Sequence, residues 1–257
     1  MKRFVVPLIG VVLIAIGGWW FIGGEPSNHN TENKNYDGIW NGNFDINGRG
    51  NFKFNALYVG GELIAYSPDA RVSYKGTVNI ENDVYHSDME MYLLTNGGYF
   101  DSVTLEGKVV SPDKIEAQFL THDAKDTGTL KLERNKSLYE KDAQISKVND
   151  EWIYYHGFTI TKFTIEKNGY IKGADTNGCG YEGEINVVTP DYNAYQVKLL
   201  LNSCHELDGV YQGMAYLLGS VEADDTLNIQ VYKDGQALYL PIVRNTKDSE
   251  SSPQDPT

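Results

Sequence analysis

Short runs in which apolar and polar residues alternate, broken by Gly, Asn and Asp, fill the chain from Ile39 to Val243. Successive side chains of an extended strand point to opposite faces. This alternation therefore predicts half-buried antiparallel strands and leaves almost no room for helices. In the first half the runs are Ile39 to Ile46, Phe52 to Tyr58, Glu62 to Tyr66, Val72 to Ile80, Met89 to Leu94, Val103 to Val110, Lys114 to Leu120 and Gly128 to Arg134. In the second half they are Trp152 to His156, Phe158 to Glu166, Tyr170 to Ala174, Tyr181 to Val188, Ala194 to Leu201, Val210 to Leu218, Thr226 to Tyr232 and Ala237 to Val243. Abundant Tyr (18) and Gly (26) fit pleated, half-buried surfaces joined by tight turns.

The two halves share landmarks in the same order. Trp40 matches Trp152, Tyr74-Lys75-Gly76 matches Tyr181-Glu182-Gly183, Leu105-Glu106-Gly107 matches Tyr211-Gln212-Gly213, and Arg134-Asn135 matches Arg244-Asn245. The offset stays at about 110 residues, as a tandem duplication requires. The fold class expected is therefore all-β, with two tandem small antiparallel β-barrels of about eight strands each. Closure removes the edge strands that an exported protein cannot leave open. A β-sandwich with Greek-key crossovers is the alternative. The charged stretch Ser137 to Asn149 has room for a short helix or a crossover between the halves. The modules expected are 37–136 and 137–245, with a Ser/Asp/Pro-rich disordered tail at 246–257.

Ahead of the modules lies an uncharged apolar run from Phe4 to Gly24. Its length suits one transmembrane helix across a bilayer core of roughly 30 Å. Trp19 and Trp20 sit near its outer end, where aromatic rings favour the headgroup level. Lys2 and Arg3 precede the run and Glu25, Glu32 and Asp37 follow it, which keeps the N-terminus cytoplasmic and exports the body. A cleaved signal peptide is the rival reading, with Ala15-Ile16-Gly17 as a cleavage site. It would leave Trp19, Trp20, Phe21 and Ile22 exposed on the mature N-terminus. The polar stretch 25–36 reads as a linker.

A formal net charge of -13 repels phosphate backbones, and no Lys/Arg stripe offsets it, so nucleic acid is not an expected partner. The two cysteines, Cys179 and Cys204, flank a predicted hairpin. In an oxidising compartment they are expected to form a disulfide joining its ends. A metal site with His205 is the weaker alternative.

Other candidate chemistry reads as turns. His122-Asp123 with Asp126 has the composition of an acid/base cluster but lies between two strands, as a polar hairpin loop does. His156-Gly157 and His205-Glu206 follow strand ends. Asp45 to Asn51 has the look of a calcium loop but lacks its spacing and terminal Glu, and Asn47-Gly48 is a hairpin turn signal. Neither a catalytic motif nor a cofactor or metal signature is present in the sequence. Tyr58, Tyr66, Tyr74, Tyr85, Tyr92 and Tyr99 in the first half, and Tyr154, Tyr155, Tyr181, Tyr192, Tyr195, Tyr211 and Tyr216 in the second, are expected in cores and cross-strand pairs. Some are candidates for a ligand mouth or a protein-facing surface.

Gly38-Ile39-Trp40-Asn41-Gly42, and Asn177-Gly178-Cys179-Gly180-Tyr181-Glu182-Gly183 with Cys204, resemble the small β-barrel modules of Gram-negative envelope proteins. Those modules are lipocalin-like or avidin-like in outline, and the second half, from Trp152 to Arg244, is the more similar. The resemblance implies a periplasmic, non-enzymatic module without catalytic residues. The first half lacks the cysteine pair, so the disulfide is not common to both modules.

These features together give one expectation, a single-pass inner-membrane protein holding two binding modules in the periplasm, with no catalysis. The partner expected is another envelope protein, and a small apolar ligand comes second. The alternative is an immunity or inhibitor protein that neutralises a periplasmic toxin or hydrolase.

Overall fold

The computed structural model describes residues 35–220 and 223–245. The apolar run with Trp19 and Trp20, the linker up to Lys34 and the tail 246–257 lie outside the described residues. Among the described residues, no helix is long and apolar enough to cross a membrane.

The first half forms β1 (Gly38–Asp45), β2 (Asn51–Val59), β3 (Glu62–Ser67), β4 (Val72–Glu81), β5 (Val84–Leu93), β6 (Tyr99–Ser111), β7 (Lys114–Thr121) and β8 (Thr127–Arg134). Two short helices follow, α1 (Lys136–Tyr139) and α2 (Ile145–Val148). The second half forms β9 (Glu151–His156), β10 (Thr159–Ile165), β11 (Tyr170–Asp175), β12 (Gly180–Val187), β13 (Tyr195–Asn202), β14 (Gly209–Ser220), β15 (Ala223–Lys233) and β16 (Gln236–Arg244). Each half is an antiparallel meander whose last strand returns to its first, giving two closed eight-stranded barrels and no sandwich. β5 and β6 begin earlier than alternation suggests. Ser87 faces inward and is fully buried, which breaks the apolar pattern of β5.

The shared landmarks occupy the same ordinal strands. Trp40 in β1 and Trp152 in β9 are both buried, and each indole N–H donates to a carbonyl four residues earlier, on Tyr36 (3.2 Å) and Val148 (2.9 Å). Arg134 and Arg244 pair across the seam with these tryptophans. Each guanidinium donates to a carbonyl just ahead of its own barrel, on Asp37 and Lys147. The glycines recur because strands approach too closely for a side chain. A Cβ on Gly76 or Gly183 would lie 2.1 Å from a neighbouring carbonyl oxygen, and on Gly107 or Gly213 2.1 and 2.0 Å. Such close approaches bend a strand sharply enough to close a small barrel.

The seams differ. In the first barrel β1 and β8 pair over six positions, from Trp40↔Arg134 to Asp45↔Thr129. In the second, β9 and β16 pair at two, Ile153↔Val243 and Trp152↔Arg244. Pairing in the first barrel runs through Gly42, where a Cβ would meet the Lys131 carbonyl oxygen at 1.8 Å, and ends beside Gly128, where one would meet the Asp45 oxygen at 1.9 Å. Counted from the landmarks, the corresponding second-barrel residues are Tyr154 and Leu238, with Pro241 in place of Lys131. Side chains thus stand where the first barrel has glycine at both positions, and proline has no N–H for the ladder.

Each barrel has its own core, one around Trp40, Phe54 and Tyr74, the other around Trp152, Phe163 and Tyr211. A third cluster joins them, with Ile39, Leu57, Ile64 and Tyr92 from the first barrel meeting Met214, Tyr216 and Tyr232 of the second. Tyr92 and Tyr232 have ring centroids 5.4 Å apart, Tyr66 and Tyr239 4.6 Å. The Tyr232 hydroxyl donates to the Tyr74 carbonyl at 2.7 Å. Strands in this wall are covered on both faces, so burial is continuous over Leu63 to Ser67, Met214 to Leu217 and Leu227 to Tyr232.

Candidate functional site

The first barrel is hollow toward one end. A cavity of about 180 Å³ is lined by the inward side chains of its strands, including Phe44, Phe54, Val72, Met91, Phe119 and Leu130. The far end is filled by Trp40 and Tyr36, whose hydroxyl donates to Asp83 at 3.0 Å. The mouth lies among Ile46, Ala70, Phe100 and Ala124, at the ends of four different hairpins. Phe100 is 49% exposed there, an aromatic ring standing in solvent beside an apolar opening.

The loops around the mouth are tied down. Asp101 is buried, and its carboxylate accepts backbone N–H bonds from Ser102 (2.7 Å), Asp123 (2.8 Å) and Ala124 (3.0 Å). Burial pushes this carboxyl up. The N–H groups of Ala124, Asp123, Ser102 and His122 outweigh burial and hold it below the usual carboxylate range. Arg49 pairs with Asp126, and the Asn47 amide donates to the Thr127 hydroxyl at 2.9 Å, so the β1–β2 turn is bound to the β7–β8 loop. The β1–β2 turn is the Asn-Gly turn that its sequence signals, with positive φ at Asn47 (43°) and Gly48 (76°). Chemically, the site offers a preformed apolar chamber with a fixed polar rim.

The remaining candidates from the sequence fall elsewhere. His122 turns to the outer wall, where Thr104 Oγ1 lies 2.8 Å from its Nε2 and donates to Asp88 at 2.7 Å. Asp88 also accepts from His86 at 3.0 Å, and the Thr104 and His86 hydrogen bonds hold its carboxyl low. This chain of four polar groups lies on an open surface, with Asp88, Thr104 and His122 on a groove between the barrels. Asp126 is engaged by Arg49 instead. His156 sits at the end of β9, 3.3 Å from the Tyr154 hydroxyl. His205 begins a single 3₁₀ turn. Cys179 and Cys204 form the expected disulfide just beyond the paired ends Gly180↔Asn202 of the β12–β13 hairpin. Among the described residues, no three His, Cys, Asp or Glu side chains group as metal ligands would.

Sequence reasoning missed the interface between the barrels. Its signal was present, because Leu63 to Tyr66 and Met214 to Leu218 are continuous apolar runs in an otherwise alternating chain. Tyr66, Tyr92 and Tyr216 serve that interface, whereas Tyr74 lines the cavity.

No protein-family model matches the chain, and no curated protein matches it. Among solved structures, Aeromonas veronii immune modulator A aligns over 81% of this chain and 94% of its own, at 9% identity and a TM-score of 0.34. That likeness is too loose to transfer a fold or a role. The lipocalin-like or avidin-like outline thus reduces to two eight-stranded antiparallel barrels.

Proposed function

We propose that this chain is a non-catalytic binding protein that holds a small apolar molecule in its first barrel. The observation that carries this reading is the apolar chamber, blind at Trp40 and open at Phe100. An apolar cavity of about 150 Å³ stays dry and takes benzene, so this one suits a single ring or a short branched chain. The disulfide supports an oxidising compartment, and the positively flanked apolar run at 4–24 supports an anchored, periplasmic placement.

Benzene, toluene and indole titrated into the full chain test the reading. Each is expected to raise unfolding free energy, by about 1.4 kcal/mol at ten times its Kd. Val72→Phe, which fills the chamber, is expected to remove the effect and leave the barrel folded. Stabilisation that survives Val72→Phe, or no stabilisation by any of the three, would sink the cavity as the binding site.

A further inference from the structure

The short seam of the second barrel leaves backbone groups without a ladder. The Asp234-Gly235 turn makes Lys233 and Gln236 the first pair of β15 and β16. Alternation then turns the N–H and C=O of Ala237, Tyr239, Pro241 and Val243 toward the seam. Both ends of this edge are taken. Near the turn, Ala237 N–H donates to the Gly97 carbonyl at 2.8 Å and the Gly235 carbonyl accepts from Tyr99 N–H at 3.0 Å, both from the first barrel. At the other end Val243 pairs with Ile153, and Asn245 N–H donates to the Glu151 carbonyl at 2.8 Å. Between them, Tyr239 and Pro241 pair with Gln230 and Asn228 of β15, and neither pairs with a residue of β9 among the described residues. The facing strand is in the same condition. The Gly157-Phe158 turn pairs His156 with Thr159, so the N–H and C=O of Tyr155 point at the gap.

We propose that this gap docks an extended peptide strand of a partner protein, with apolar residues at alternate positions. What is left over is what a strand uses, a row of backbone donors and acceptors spaced for a ladder, whereas a helix satisfies its own. The first barrel already adds Gly97 and Gly98 to this edge of β16, so a docked strand continues an existing interface. The apolar anchors lie on the adjoining hairpin, where Tyr155 is 55% exposed and Phe158 is wholly exposed. Tyr154, Leu238 and Pro241 stand at this seam where the first barrel has Gly42, Gly128 and Lys131.

The test uses the full chain in detergent micelles and a fluorescein-labelled Thr-Val-Thr-Val-Thr-Val-Thr peptide, read by anisotropy. Saturable binding is expected, at least tenfold weaker when the peptide is N-methylated at alternate residues. Tyr155→Pro removes a seam-facing N–H but leaves the β9–β10 ladder, and it is expected to weaken binding tenfold as well. Hydrogen exchange supplies a readout without any variant. The Tyr155 and Tyr239 amides are expected to exchange freely in the unbound protein and at least tenfold more slowly with peptide. The proposal is overturned if binding is absent or ignores N-methylation, or if both amides are already protected in the free monomer. It is also overturned if protection appears with protein concentration alone and a dimeric mass, because a second copy then fills the gap.

Discussion

The first barrel closes along six residue pairs around an apolar cavity, while the second closes along two and carries a disulfide. Both descend from one pattern, with tryptophan, glycine and arginine landmarks on the same ordinal strands. The difference shows how few positions decide closure. Gly42 and Gly128 let backbones of the first seam approach to a distance no side chain allows, and the second barrel has tyrosine and leucine there. The cross-link lies at the β12–β13 hairpin, away from the weak seam. It therefore steadies the second barrel without closing it.

Reduction should separate the two barrels most. The disulfide closes a loop spanning 25 positions, and losing it is expected to cost roughly 3 kcal/mol. Denaturant melts of Cys179→Ser/Cys204→Ser, with hydrogen exchange resolved by barrel, should place that loss in the second barrel. A loss shared equally would mean that the interface, and not the cross-link, sets both stabilities.

Gly42→Ala attacks the other side of the comparison. The added Cβ meets the Lys131 carbonyl oxygen, and an overpacked backbone contact of this kind costs about 2 kcal/mol. Exchange of the β1 and β8 amides should accelerate while the β9 amides keep their rates. If Gly42→Ala is neutral, the seam difference has another cause.

Alkaline pH should act on both barrels alike and so separate them least. Burial pushes Tyr85 in the first barrel, and Tyr181 and Tyr211 in the second, up to about 12. The neutral form is favoured in the folded chain, whereas the unfolded chain ionises near pH 10. Their contribution is therefore complete below pH 10 and falls away as pH rises toward about 12. Chemical denaturation at stepped pH, followed by tyrosinate absorbance, checks this. An unfolding free energy flat across that window would contradict the burial of these hydroxyls.

All sixteen strands, the duplication and the disulfide are legible in the sequence. Each rests on a local signal. Alternation marks which residues share a face, Asn47-Gly48 announces a turn, and two cysteines at the ends of one hairpin are placed to meet each other. Where the alternation is broken, by the inward Ser87, the start of β5 is lost. His122 and Asp126 look like partners in sequence, yet the strand register sends one to Thr104 and the other to Arg49.

By itself, then, the sequence determined an all-β chain of two eight-stranded repeats with one covalent staple, because period and turn chemistry depend on near neighbours. Tertiary structure alone decided that the first barrel is hollow, that Tyr92 and Tyr232 join the barrels, and that the second seam pairs at only two positions. A cavity is the volume left when side chains from eight strands converge. A seam depends on the approach of two backbones nearly a hundred residues apart, at Trp40 and Arg134 in one barrel and at Trp152 and Arg244 in the other. No local pattern contains either quantity.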